Sequence, residues 1–215
     1  MPLQVAIIPV TSFQQNCSIL MCEETKEAVV VDPGGNIDRI IEQADSMGAI
    51  LKKILITHAH LDHVGGTIEL AELKNLEIEG PHISDKFWME MLPQQAQMFG
   101  FPPAESFFPN RWLDEGDTIT VGNVNLAVIH TPGHTPGHVI FYSEADKLAL
   151  VGDVLFEGSI GRTDFPQGNH KDLLNSIHNK LFTLGDDITF IPGHGPNSTF
   201  GHERRTNTFV SGKNG

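Results

Sequence analysis

The stretch Ile54-Leu55-Ile56-Thr57-His58-Ala59-His60-Leu61-Asp62-His63 decides how this chain is read. Ile54 to Thr57 form a short apolar, β-branched run, the pattern of a buried strand. Directly behind it stand His58, His60, Asp62 and His63, four metal-binding residue types in six positions. Open α/β sheets place their ligand sites at the carboxyl ends of strands, and this cluster sits at such an end. On a turn, His58 and His60 can face one point while Asp62 and His63 face another. One short loop can then serve two neighbouring cations. A merely solvated polar loop rarely gathers four such residues in this order.

Three further candidates also follow apolar runs. His134 lies in HTPGHTPGH (130–138), after LAVI. Asp153 follows LALVG (148–152), and His194 lies in IPGHG (191–195). The Pro-Gly-His segment cannot be a helix: Pro132 and Pro136 each lack a backbone donor, and Gly133 and Gly137 loosen the chain. It reads as a stiff loop that carries histidines. A lone Gly-Asp after a strand is usually a turn. Four loops of metal-binding residues after four apolar strands are how a rigid scaffold gathers ligands at one rim.

The motifs VVVDPGG, THAHLDH, TPGHTPGH, GDVLF and PGHGP, in this order from about residue 15 to 196, resemble the metallo-β-lactamase superfamily. Within it the chain is most similar to short bacterial glyoxalase II-like hydrolases. The resemblance implies an α+β fold, a four-layer αββα sandwich with a dinuclear metal site at its edge. It implies His58, His60 and His134 on one divalent ion, Asp62, His63 and His194 on the other, and Asp153 bridging. Zinc is the first expectation for the two ions, with iron or manganese as alternatives. Asp32 of VVVDPGG is carried over as a supporting residue behind the ligands. The catalytic pair is then Asp62 and Asp153, holding a metal-bridging hydroxide as nucleophile. Such ions bring the pKa of bound water to roughly 7. Arg162 in GRTDF is the candidate substrate contact, for a carboxylate of an anionic thiol. Its alternative is an internal ion pair with Asp164.

Composition bounds the partners. With 14 basic against 27 acidic residues, the net charge of −13 opposes binding to nucleic acid or an anionic membrane. The length of 215 residues suits one domain spanning 1–215, with no separate C-terminal glutathione-binding helical domain. No apolar run reaches membrane-spanning length, and the N-terminus lacks a signal-peptide pattern, so a cytoplasmic protein is expected. A monomer suffices for the reading. Cys17 and Cys22 are expected as two reduced thiols, facing different ways on one strand.

Local patterns fill in the rest. VAIIPV, CSILMC and EAVVVD read as strands. Asn36 reads as the cap of a helix carrying Ile37, Ile40, Ile41, Ala44 and Met47 up to Gly48. HVGGTIELAELKNL (63–76) reads as a second helix. DTITV and VNLAVI form a hairpin across Gly122-Asn123, and HVIFY and KLALVGD are further strands. KDLLNSIHNKLFTL (171–184) is amphipathic, with Leu173, Leu174, Ile177 and Leu181 facing a core. DITFIPG is a last strand, and a short helix follows near HERRTN. Residues 81–112 break the pattern and read as a surface excursion with short helices and a small core of its own; a substrate wall or lid is the alternative. His130 and His138 are read as structural, while His82, His170, His178 and His202 are assigned to the surface, caps or helix faces. Trp88 and Trp112 are read as packing residues, with lining a pocket as the alternative for Trp88.

The leading function is a metal-dependent thioester hydrolase acting on a small molecule such as S-lactoylglutathione. The alternatives are a mononuclear iron persulfide dioxygenase using His58, His134 and Asp153, a hydrolase of another ester, lactone or β-lactam, and a non-catalytic metal-binding module.

Overall fold

A computed structural model describes residues 2–211. The first sheet is formed by β1 (Leu3–Val10), β2 (Gln15–Cys22), β3 (Glu27–Val31), β4 (Ile50–Leu55) and β5 (Glu77–Glu79), in that order. The second contains β6 (Thr118–Val121), β7 (Val124–His130), β8 (Val139–Ser143) and β9 (Leu148–Gly152). After the small hairpin of β10 (Leu155–Phe156) and β11 (Ser159–Ile160), it is completed by β12 (Thr189–Pro192) and β13 (Ser198–Thr199). Its order is β13-β12-β9-β8-β7-β6. Helices α1 (Ile37–Met47), α2 (Leu61–Val64), α3 (Thr67–Lys74), α4 (Lys86–Glu90) and α5 (Leu92–Phe99) accompany the first sheet. Helices α6 (His170–Asn179) and α7 (Phe200–Thr206) accompany the second.

Three cores account for the layering. Leu20, Val29, Val31 and Leu55 of the first sheet meet Ile119, Leu126, Val128, Phe141 and Leu150 of the second between the sheets. On the outer face of the first sheet, Ile19, Val30 and Ile54 pack with Ile37, Ile40 and Leu70 of the helices. On the outer face of the second, Ile140, Val151 and Phe190 pack with Leu173, Ile177 and Phe200. Helix, sheet, sheet and helix therefore stack as the expected αββα sandwich, an α+β fold, because each element has one apolar face to bury.

Strand direction sets the rim. β3 and β4 run parallel. β7 and β9 are each antiparallel to β8, and β12 is parallel to β9. The segments at 32, 57–63, 131–138, 153 and 193–195 thus follow strands ending at one edge. The two sheets are tied there, with Val139 N donating to Thr57 O at 2.8 Å and Asn16 N to Gly193 O at 2.7 Å.

Several local expectations need correction. Asn36 precedes α1 but its side chain caps nothing there; it accepts from Thr11 N at 2.7 Å instead. The helix read over 63–76 is split into α2 and α3 at Gly65-Gly66, where Gly66 N donates to Pro33 O. The strand placed at 54–57 begins earlier, at Ile50, and ends at Leu55. Residues 81–112 do not form a separate excursion. Trp88, Met89, Leu92 and Ala96 of α4 and α5 join the outer core of the first sheet. Cys17 and Cys22 are both buried and unpaired, as expected. Among the described residues, no helix is long and apolar enough to cross a membrane.

Candidate metal centre

The motif loop leaves β4 and turns at once into α2, which places His58, His60, Asp62 and His63 around one turn of chain. The Pro33-Gly34 turn packs directly against it. A Cβ on Gly34 would lie 1.6 Å from the Asp62 carbonyl oxygen, so only glycine allows this approach. The structure brings all seven expected side chains together. The nitrogens of His58, His60 and His134 form one group whose atoms lie within 4.8 Å of one another, and Asp62, His63 and His194 form a second.

Asp153 stands between the two groups. Its Oδ1 is 3.3 Å from His63 Nε2, and its Oδ2 is 3.5 Å from His134 Nε2 and 3.8 Å from His194 Nε2. Asp62 Oδ2 is 3.1 Å from His194 Nε2. His134 Nε2 lies 2.9 Å from His60 Nδ1. A third grouping, Asp32 with His58 and His63, also meets the distance condition. The oxygens of Asp32 are already engaged, however. Oδ1 accepts from Thr57 N at 2.7 Å, and Oδ2 from Thr57 Oγ1 at 2.6 Å and His63 Nδ1 at 2.8 Å. Asp32 therefore orients the cluster from behind.

Most of these imidazoles have a second nitrogen held by the fold. His63 Nδ1 faces Asp32, His134 Nδ1 faces Arg162 O at 2.8 Å, and His194 Nδ1 faces Phe13 O at 3.1 Å. A ring that donates from Nδ1 keeps its Nε2 lone pair free for a cation. His58 Nε2, His60 Nε2, His63 Nε2 and Asp153 Oδ1 are buried without hydrogen-bond partners. Buried polar atoms are almost always partnered. Unpartnered His58 Nε2, His63 Nε2 and Asp153 Oδ1 in these two groups fit divalent metal, and nitrogen with carboxylate oxygen is a suitable donor set.

The electrostatics agree. Burial, reinforced by neighbouring imidazoles, pushes His58 and His60 well below the usual histidine range, and burial lowers His134. These rings are neutral, as metal binding requires. Burial alone would raise the Asp153 carboxyl, but His63, His134 and His194 hold it well below the usual carboxylate range. Burial would lower His63, yet Asp153 and Asp62 raise it well above the usual value. For His194, the hydrogen bond to Asp62 outweighs burial in the same way. A proton and a cation compete for these two rings.

Two supporting residues had no signal in the sequence. Asp85 is fully buried and accepts from Ala59 N at 3.0 Å, Thr135 Oγ1 at 2.9 Å and Gly137 N at 2.5 Å, tying the motif loop to the Pro-Gly-His loop. Burial pushes its carboxyl up to about 6. Gln95 of α5 accepts from Leu61 N and donates to the carbonyls of Ala59 and Trp88. Neither carries a local motif; each reaches Ala59, 26 and 36 residues away in the chain, through its backbone.

The other histidines behave as read. His138 is buried, stacked on His58 at 4.7 Å, and accepts from Asp153 N at 3.1 Å. His130 Nε2 lies 2.8 Å from Pro136 O, and its ring stacks on His82 at 4.3 Å. His82 accepts from Ser84 N, and His178 is exposed on α6. The Arg162 guanidinium pairs with Asp164 through two bonds of 2.9 and 2.7 Å and lies over the Phe165 ring, which is the internal ion pair of the alternative reading.

A cavity of about 760 Å³ opens beside the cluster. His60, Asp62, His134, Asp153 and His194 line it together with residues of α4, α5 and the Arg162–Phe165 segment. Residues of the 81–112 segment thus contribute to the lining of this cavity.

Comparison with known proteins agrees with this geometry. The family profile of the metallo-beta-lactamase superfamily matches residues 10–194. The chain is 47% identical over 212 residues to hydroxyacylglutathione hydrolase GloC of Haemophilus influenzae, covering 98% of this chain and 100% of that protein. Among solved structures, the BLEG-1 B3 metallo-beta-lactamase superposes with a TM-score of 0.90 at 34% identity, covering 97% of this chain and 100% of that one. TTHA1623 in a di-iron-bound form superposes with a TM-score of 0.86 at 35% identity, covering 95% and 100%. With the sandwich, the paired side-chain groups and these likenesses together, the chain belongs to the metallo-β-lactamase superfamily.

Proposed function

We propose that this protein is a dinuclear metal-dependent thioester hydrolase of the glyoxalase II type, cleaving a substrate such as S-lactoylglutathione to D-lactate and glutathione. The chain is a hydrolase of its superfamily; the thioester and the two-metal mechanism are our reading. One observation carries it: two separate groups of three side chains share Asp153 between them, with buried acceptors otherwise unpartnered. A reaction needing one ion would not require the second group. The GloC relative is named a hydroxyacylglutathione hydrolase, and TTHA1623 was crystallised with two irons, which supports the reading.

His58, His60 and His134 would hold one ion, and Asp62, His63 and His194 the other, with Asp153 contributing to both. A pair of divalent cations at such a site supplies a water of lowered pKa and polarises a carbonyl. The chain's own part is to fix geometry. Asp32, Arg162 O and Phe13 O lock ring orientation, while Asp85 and Gln95 hold the loops. Asp62 is half-buried and lines the cavity, so Oδ2 can take the proton of an attacking water beside the substrate. Arg162 stands at the cavity edge, where it can exchange Asp164 for a substrate carboxylate.

The deciding assay gives metal-loaded protein S-lactoylglutathione, a lactone, a β-lactam and a glutathione persulfide. Thioester cleavage without oxygen uptake supports the proposal. Oxygen consumption with the persulfide, or cleavage of the β-lactam alone, contradicts it.

A further inference from the structure

The apolar lining that flanks the cluster, with Trp88 against His60 at 4.7 Å and Phe165 against His60 at 5.1 Å, is more extensive than a lactoyl group needs. Trp88, Met91, Met98, Phe99, Phe101 and Phe165 form it. Phe13, from the β1–β2 turn beside His194, extends it, edge-on to Phe101 at 5.2 Å and to Phe99 at 6.3 Å. Three of these large side chains stay open to solvent: Met98 is 71% exposed, Phe13 45% and Phe99 40%. A contiguous exposed apolar patch next to a reactive cluster marks a ligand surface. Met98, flexible and polarisable, suits an adaptable wall.

Charge points the same way. Apart from the candidate metal side chains, the charged residues lining the cavity are Glu157 and Arg162. Arg162 is already doubly bonded to Asp164. The anionic tail of glutathione therefore finds one engaged cation and one carboxylate, on a protein of net charge −13. A tail held at the exposed edge near Arg162 would leave the apolar lining to the acyl half of the substrate.

We propose that the apolar cavity receives a bulky hydrophobic acyl arm, so that the enzyme favours thioesters of medium-chain or aryl-bearing acids over lactate-sized ones. This inference rests on the thioester-hydrolase reading and names its substrate class. Each methylene buried against the wall should tighten binding roughly fourfold.

Two measurements separate the inference from the reading beneath it. The first is calorimetric binding of non-hydrolysable S-alkyl glutathione thioethers, methyl to octyl, to the metal-loaded protein. Affinity should rise about three- to fourfold per methylene over the first several carbons. Met98→Asp, at an exposed position that the fold tolerates, should flatten this slope. Replacing glutathione by a small neutral thiol should cost less than about tenfold in affinity. An affinity blind to alkyl length, or a larger loss on removing the tail, overturns the proposal. The second is turnover of the matching acyl thioesters. If none is cleaved while thioether binding still climbs with length, the hydrolase reading fails and the apolar acyl site stands. If thioesters are cleaved while binding is flat, the reverse holds.

Discussion

Replacing Asp85 by asparagine should make stability depend on pH in a specific way. Asp85 is fully buried, and its carboxyl is pushed from 3.8 up to about 6 by burial, against three donated hydrogen bonds. A folded-state pKa above the unfolded one contributes stability that is fully present below about pH 4 and is lost as pH rises through about 6. With those two values the contribution is on the order of 1 to 2 kcal/mol at pH 5 and close to zero at pH 8. Asparagine has nearly the same shape and does not titrate. The stability of the wild type relative to Asp85→Asn should therefore fall by roughly 1 to 2 kcal/mol between pH 5 and pH 8. Urea unfolding of both proteins at the two pH values, with chelator present so that metal binding does not enter, measures the change. Taking the difference removes every other titrating group. A gap that stays constant, or widens in favour of the wild type as pH rises, would show that Asp85 is not a buried acid and would refute the argument.

Other substitutions separate ligand, support and steric roles. Asp153→Ala should abolish hydrolysis and lower metal occupancy, because one carboxylate serves both side-chain groups; elemental analysis with a thioester assay checks it. Asp32→Asn should lower metal affinity or kcat by about 10- to 100-fold with the fold intact, since it removes the charged acceptor that orients His63. A Cβ on Gly193 would lie 2.1 Å from Asp153 Oδ1 and 2.6 Å from a His63 ring carbon. Gly193→Ala should therefore leave circular dichroism unchanged but lose bound metal. His138→Ala should keep at least one metal and much of the activity, because His138 supports Asp153 N and the His58 ring from behind; total metal loss would assign it a ligand's role.

The sequence revealed the cluster but not what braces it. His58, His60, Asp62, His63, His134, Asp153 and His194 were legible because metal-binding chemistry needs rare residue types, and strands ending at one rim place them in recognisable loops. Asp85 and Gln95 were not, because they hold Ala59 from 26 and 36 residues away through backbone groups, which leave no local pattern. The same limit explains the misjudged 81–112 segment. The segment has no clean period, yet Pro93 sits in the first turn of α5, where a missing donor costs nothing. The Gly65-Gly66 break in the second helix and the diverted Asn36 side chain both follow from the β1–β2 turn and the Pro33 turn packing against distant chain. Arg162 shows the converse: its residue type suggested a substrate contact, while its nearest partner was two positions away.

Metal stoichiometry tests the central claim most directly. Untagged protein, stripped with chelator, reloaded and dialysed, should bind two divalent ions per chain by elemental analysis. The His194→Ala variant should retain about one. Wild-type protein that binds a single ion in excess metal, or stripped protein that still cleaves the thioester at full rate, would contradict the account.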